Sequence, residues 1–174
     1  LLMKKKLIIF FVLFFQFNFA IANTKIAFID MNKVISNSKP GSSIMKQLSD
    51  INSVNLSKFE SETKKLKEQE AKIVAQKNIL SEADFQNNIK KLKLEINSYN
   101  VNRDKINNNF NKLRIDSINK LLKLINPILI NYSEDNSISL ILKKKDLVIG
   151  TSELDITDKI IEIINKDIKQ FKIQ

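Results

Sequence analysis

Lysine is the residue type that could do chemistry in this chain. Lys72, Lys77, Lys90, Lys91 and Lys93 crowd a stretch whose only acidic residues are Glu82 and Asp84. Ammonium groups on so sparse an acidic background attract anionic partners at long range and release them in salt. That is capture, not bond breaking. The chain has no His and no Cys, so it lacks the usual general base, the usual thiol nucleophile and the commonest metal ligands. Its two glycines, Gly41 and Gly150, are too far apart for a phosphate-cradling loop. No Gly-x-Ser-x-Gly elbow and no spaced carboxylate set occurs. Enzymatic activity, a cofactor and a metal site are therefore not expected.

The charge is general as well as local. The 174 residues carry 29 Lys and Arg against 19 Asp and Glu, a formal charge of +10. Residues 42–126 alone hold 16 basic and 10 acidic side chains. Acidic polypeptides, anionic lipid heads and nucleic acid are the partner classes this favours. Lys, Asn and Ile are abundant throughout, so for any single lysine a merely solvated helix face stands beside the capture role.

These lysines need a long support. Between Gly41 and Pro127 there is neither proline nor glycine, and a run so free of helix breakers reads as helix. Phe59, Leu66, Ile73 and Leu80 recur every seven residues. Ile89, Leu92, Ile96, Tyr99, Ile106, Phe110 and Leu113 then alternate by threes and fours, with Arg103 at one seam position. This is the spacing of helices wound together. Ser81, with Asp84 three residues on, is placed to cap a new helix. A reversal near Ser81 makes an antiparallel hairpin that pairs Ile73 with Ile89, Leu66 with Ile96 and Leu56 with Ile106. Each limb is then about 55–65 Å long. The first limb offers one apolar residue per heptad, with Thr63, Glu70 and Lys77 between, so its far end is expected to be marginal and flexible. A single continuous rod is the alternative, and it would separate the two chain ends.

Those ends read as a body. Residues 25–30 and 138–142 are apolar runs without helical period, as are residues 147–149 beyond Lys143-Lys144-Lys145. The last two read as a hairpin or as neighbouring strands. Lys39-Pro40-Gly41 reads as a turn, and Pro127 as a kink or an end of the long helix. Asp155 or Thr157 caps a closing helix with Ile156, Ile160, Ile163, Ile164 and Ile168 on one face. Three short strands and one helix bury little, so oligomerisation is expected. Ile26, Phe28, Leu140, Leu142 and Val148 are assigned to the body core and to contacts between copies. The fold class is α+β: a small strand body, residues 23–41 and 127–174, with a helical arm, residues 42–126, inserted. Residues 1–22 read as an export signal. Lys4-Lys5-Lys6 precede an apolar block over residues 7–15, and Ala20-Ile21-Ala22 supplies the small residues, Ala20 and Ala22, of a cleavage site. The block is too short for a membrane span.

Together these pieces resemble the Skp/OmpH family of periplasmic chaperones. The matching residues are the export signal, the KIAFIDMNKVI opening, Lys39-Pro40-Gly41, and the charged hairpin with its LSEADF reversal. The SLIL and DLVI segments and the closing LDITDKIIEIIN complete the order. The resemblance implies a homotrimer whose bodies share a β-barrel and whose hairpins hang around a cavity. It implies ATP-independent capture of unfolded outer-membrane proteins in the periplasm of a Gram-negative bacterium. Lys72, Lys77, Lys90, Lys91 and Lys93 would then attract clients, and Ile79 and Phe85 would touch apolar client segments or simply close the tip. Anionic lipid or lipopolysaccharide is an implied further partner, with no lysine cluster distinct enough to mark its site. Two other readings remain open. A coiled-coil spacer or envelope adaptor fits the heptads. Nucleic-acid binding fits the charge, but the export signal opposes it, and few aromatics interleave with the basic residues.

Overall fold

The computed structural model describes residues 24–173, so the signal reading, with Ala20 and Ala22, lies outside the described residues. In chain order the elements are β1 (Lys25–Ile29), α1 (Met31–Asn37), α2 (Lys39–Ala75), α3 (Glu82–Asp135), β2 (Ile138–Lys143) and α4 (Thr157–Asp167). Short 3-10 turns occupy Lys144–Asp146 and Ser152–Leu154. The two long helices form a hairpin and together constitute the crossover between the strands. So long a crossover allows β1 and β2 to run parallel, which they do, with Ile26 beside Leu140 and Phe28 beside Leu142.

Local chemistry starts each helix. The Asp30 carboxylate accepts the Lys33 N–H at 3.0 Å and opens α1. The Ser38 hydroxyl accepts from Gly41 N at 3.3 Å and opens α2. Lys39-Pro40-Gly41 is therefore not a free turn but the first turn of a helix, with proline where a missing N–H costs nothing. Gly41 is buried against α1: a Cβ there would lie 1.8 Å from the Ile35 carbonyl oxygen. Pro127 does not end α3, which continues for eight residues beyond it. Core packing on both sides of the proline offsets its lost hydrogen bond. Leu121 and Ile125 precede it in the core, while Ile128, Leu129 and Tyr132 pack against the core after it. The chain leaves α3 through Ser137, whose φ of 53° turns it into β2.

One core holds these elements. Ala27 and Ile29 of β1 join Val34, Ile44, Leu48, Leu121, Ile125, Ile156, Ile160 and Ile164. Alternation along the strands sends Ile26, Phe28, Leu140 and Leu142 to the opposite face of the sheet. There Phe28 is buried, while Ile26 and Leu140 are 40% and 48% exposed. Val148 is not part of the chain's own core; it is fully exposed, as is nearly all of Ile149. The cause is the 3-10 turn at Lys144–Asp146, which leads the chain away from β2 and leaves residues 147–149 without strand pairing. The described residues thus contain two strands, not three.

A polar chain ties the distant parts of the body together. Asp30 N donates to the Thr157 hydroxyl at 2.9 Å, and Thr157 N donates to Asp155 Oδ1 at 3.0 Å. Lys144 Nζ pairs with the other Asp155 oxygen at 2.8 Å. Ile156 N donates to the Phe28 carbonyl at 3.0 Å, closing the free side of β1.

Candidate functional site

The arm begins where the core ends. Between Leu48 and Ser117 only one side chain, Leu92, is buried. Phe59, Leu66, Ile73, Ile106, Phe110 and Leu113 are half-buried along the seam. Val54, Val74, Leu94 and Val101 face outward altogether. The heptad count singled out seam residues and passed over these four, because a helix places them off the repeat. Their signal in the sequence is apolar residues left over once the seam is assigned.

The tip is made of residues 76–81. Ile79 N and Leu80 N both donate to the Gln76 carbonyl, at 2.9 and 3.0 Å. Ser81 then caps α3: its hydroxyl accepts from Asp84 N at 3.1 Å and donates to the Asp84 carboxylate at 2.6 Å. Glu82 and Asp84 add negative charge to that helix's N-terminal turn, where the dipole favours it. Ile79 stands 81% exposed at the turn, and Phe85 is half-buried one helical turn into α3.

Lys72, Lys77, Lys90, Lys91 and Lys93 are all exposed. Among the described residues, none of the five has a carboxylate within 4.0 Å, unlike Lys65, which pairs with Glu62 at 3.1 Å. The hairpin brings Lys72 and Lys91 to one notch of about 270 Å³ between the limbs, floored by Ile73 and Leu92 with Glu95 at its rim. Lys77, Lys90 and Lys93 do not line this notch.

Nearer the body the seam opens. Tyr99 reaches across from α3, its hydroxyl 2.9 Å from the Thr63 hydroxyl and 3.4 Å from the Phe59 carbonyl. Bridging the limbs through a ring and a hydroxyl, rather than through two interlocked apolar side chains, leaves a groove of about 810 Å³ beside them. Leu56, Phe59 and Ala71 supply its apolar wall, and its rim is mixed in charge: Lys64, Lys67 and Arg103 beside Glu60 and Glu68, with Lys64 4.0 Å from Glu68. The heptad spacing places Tyr99 on the seam, with Arg103 an exception to it. The usable signal for a groove was Thr63, Tyr99 and Arg103 occupying seam positions together.

A third concavity, about 630 Å³, follows the outer edge of β2. Met31, Ile35, Leu122, Leu129 and Ile141 line it, with Lys143, Lys144 and Lys145 at one end. Among the described residues, no strand pairs with that edge. No described helix is long and apolar enough to cross a membrane, and no group of three His, Cys, Asp or Glu gathers in a metal-binding arrangement there.

Known proteins share this plan. The family model for outer membrane protein (OmpH-like) matches residues 25–164. A solved structure from Caulobacter crescentus CB15, provisionally described as an outer membrane chaperone (OmpH-like), superposes with a TM-score of 0.79 at 14% identity. The match covers 92% of this chain and 95% of that one, and at such identity it speaks for the fold. No curated protein matches the chain.

Proposed function

The chain belongs to the OmpH-like outer membrane protein family, and from that premise we propose that it is an ATP-independent holdase chaperone of the periplasm. Its clients are unfolded outer-membrane proteins. The observation that carries this reading is the contrast within the arm: one buried side chain, Leu92, against exposed lysines and outward apolar residues such as Val74, Ile79 and Leu94. A hairpin that hardly satisfies itself has surface to offer. Lysines without carboxylate partners attract an acidic client, and apolar side chains spaced along two limbs free to spread apart hold it through many weak contacts.

The limbs act as an antiparallel coiled coil, a reading supported by the Thr63–Tyr99 contact and by the shared notch of Ile73 and Leu92. Three copies assemble through their bodies. Supporting this are the apolar sheet face of Ile26 and Leu140, the edge of β2 left unpaired among the described residues, and the exposed Val148 and Ile149. Anionic lipid or lipopolysaccharide is a secondary partner of the same lysines; no nucleic-acid specificity and no catalysis is assigned.

The test uses the mature protein and a urea-denatured outer-membrane barrel protein diluted into buffer, followed by light scattering. Equimolar trimer should suppress aggregation at low salt and do so progressively less as salt shortens the Debye length. Aggregation unaffected at low salt would overturn the proposal, and a native mass equal to one chain would overturn the trimer.

A further inference from the structure

After α4 ends at Asp167 the chain takes up no further helix or strand, yet residues 168–173 are not loose. Ile168, Phe171 and Ile173 pack against the core. The Gln47 side chain grips the segment twice: its Nε2 donates to the Phe171 carbonyl at 3.1 Å, and its Oε1 accepts from Ile173 N at 3.1 Å. An amide side chain thereby satisfies an extended backbone much as a neighbouring strand would. The same Nε2 lies 3.3 Å from the Ser43 carbonyl, which fixes the amide's orientation on α2.

The segment reaches the other limb as well. Lys120 Nζ of α3 sits 4.6 Å from the centroid of the Phe171 ring, within cation–π range. Upstream, Asn165 accepts from Lys39 N at 2.6 Å, anchoring the start of α2 to the end of α4. The tail therefore joins α2 and α3 at one level of the hairpin, level with Ile44, Leu48 and Leu121, just before the limbs leave the core. It lies beyond the residues that match the family model.

We infer that residues 168–173 form a strap across the root of the hairpin that sets how far and how freely the two limbs diverge. Two long levers joined at the tip only by residues 76–81, with a thin seam, take their spread from the root. A contact that holds Gln47 and Lys120 to one short segment restrains that spread at its pivot. The consequence for clients rests on the arm being the holding element; the restraint itself does not.

The experiment uses the full mature chain, which has no native cysteine. Spin labels at Lys67→Cys and Asn97→Cys, two exposed positions on opposite limbs, report the inter-limb distance, with labelled chains diluted into unlabelled ones. Gln47→Leu, Phe171→Ala and a truncation after Asp167 should each broaden the distance distribution. They should also raise hydrogen exchange at residues 44–52 by about tenfold, with β1 amides unchanged. Unaltered distances and exchange in all three overturn the strap. If the truncated chain loses its helical circular dichroism, the two point variants decide. Client protection by the unmodified protein is scored separately: its absence counts against the chaperone reading, and unchanged limb distances count only against the strap.

Discussion

Body and arm share a helix and almost nothing else. The lower part of α3 places Leu121 and Ile125 out of contact with solvent, while its upper part leaves Val101 and Ile115 exposed. Across the body, α1, α2, α4 and both strands converge on these lower residues, and polar contacts such as Asp30 to Thr157 join positions far apart in sequence. Across the arm, α2 and α3 meet only each other. The difference teaches that a long helix needs tertiary burial at one end only. Propensity and unbroken backbone hydrogen bonding carry it outward from there, over about 50 Å between Ser117 and Glu82 of α3. Stiffness along each limb and looseness between the limbs then coexist.

The largest expected effects fall on the body. Gly41→Ala drives a methyl into the Ile35 carbonyl, a backbone atom that cannot swing aside. A loss of about 3 kcal/mol or more is expected, at the top of the range for overpacking. Ile160→Ala, at a site with no solvent exposure, should cost about 2–5 kcal/mol. Chemical denaturation followed by circular dichroism measures both. If either variant matched the parent protein, the body would not be the cooperative unit that the contrast requires.

Acid should act on the body next. Burial pushes the Asp155 carboxyl up, but Lys144 and the Thr157 hydroxyl and amide together outweigh it, leaving its pKa below the ordinary value. A carboxylate so depressed contributes stability above its unfolded pKa of about 4 and loses that contribution as pH falls through the folded value. Lys144 is raised by the hydrogen bond and charge of Asp155, so its share is lost only in strong alkali. Asp155→Asn should therefore flatten the fall in melting temperature between about pH 5 and pH 3 and lower stability at neutral pH. An unchanged acid limb would show that Asp155 is not the group responsible.

How much of this was legible follows the same division. The arm's helices, the Ser81 cap and seam residues such as Phe59, Leu66 and Ile73 were readable because helix breakers, caps and heptads are local signals, whereas Leu56 and Ile96, paired by the same register, lie 51% and 37% exposed. The body was harder. Residues 147–149 look like a strand by composition, and the 3-10 turn at Lys144–Asp146 and the lack of a neighbouring strand among the described residues deny them pairing. Lys39-Pro40-Gly41 looked like a turn because Pro and Gly mark both turns and helix starts, and Ser38 as cap decides between them. The tail's hold on Gln47 joins residues more than a hundred positions apart, which no periodicity records. Of the five arm lysines, only Lys72 and Lys91 share a concavity, because the hairpin register sets which positions meet across the seam.

The smallest effects belong to the arm, and their confinement is what sharpens the contrast. Leu92→Ala removes the arm's one buried side chain, but neighbours on two free limbs close over the gap. About 1–2 kcal/mol of local stability should be lost, below the usual range for a packed core. Faster hydrogen exchange near the tip should register it, with no shift in the global melting temperature. Tyr99→Phe should do less. It removes one hydroxyl from a half-exposed pair, and Thr63 then bonds to water, so about 0.5–1 kcal/mol is at stake. Adding Thr63→Val to Tyr99→Phe should recover part of that loss, since two apolar groups then face each other. The measurable signs are a few-fold change in exchange around residues 59–66 and an unmoved β1. If Tyr99→Phe instead lowered the melting temperature of the body, arm and body would be one cooperative unit. The limbs could then no longer adapt to a bulky partner without loosening the root that carries them.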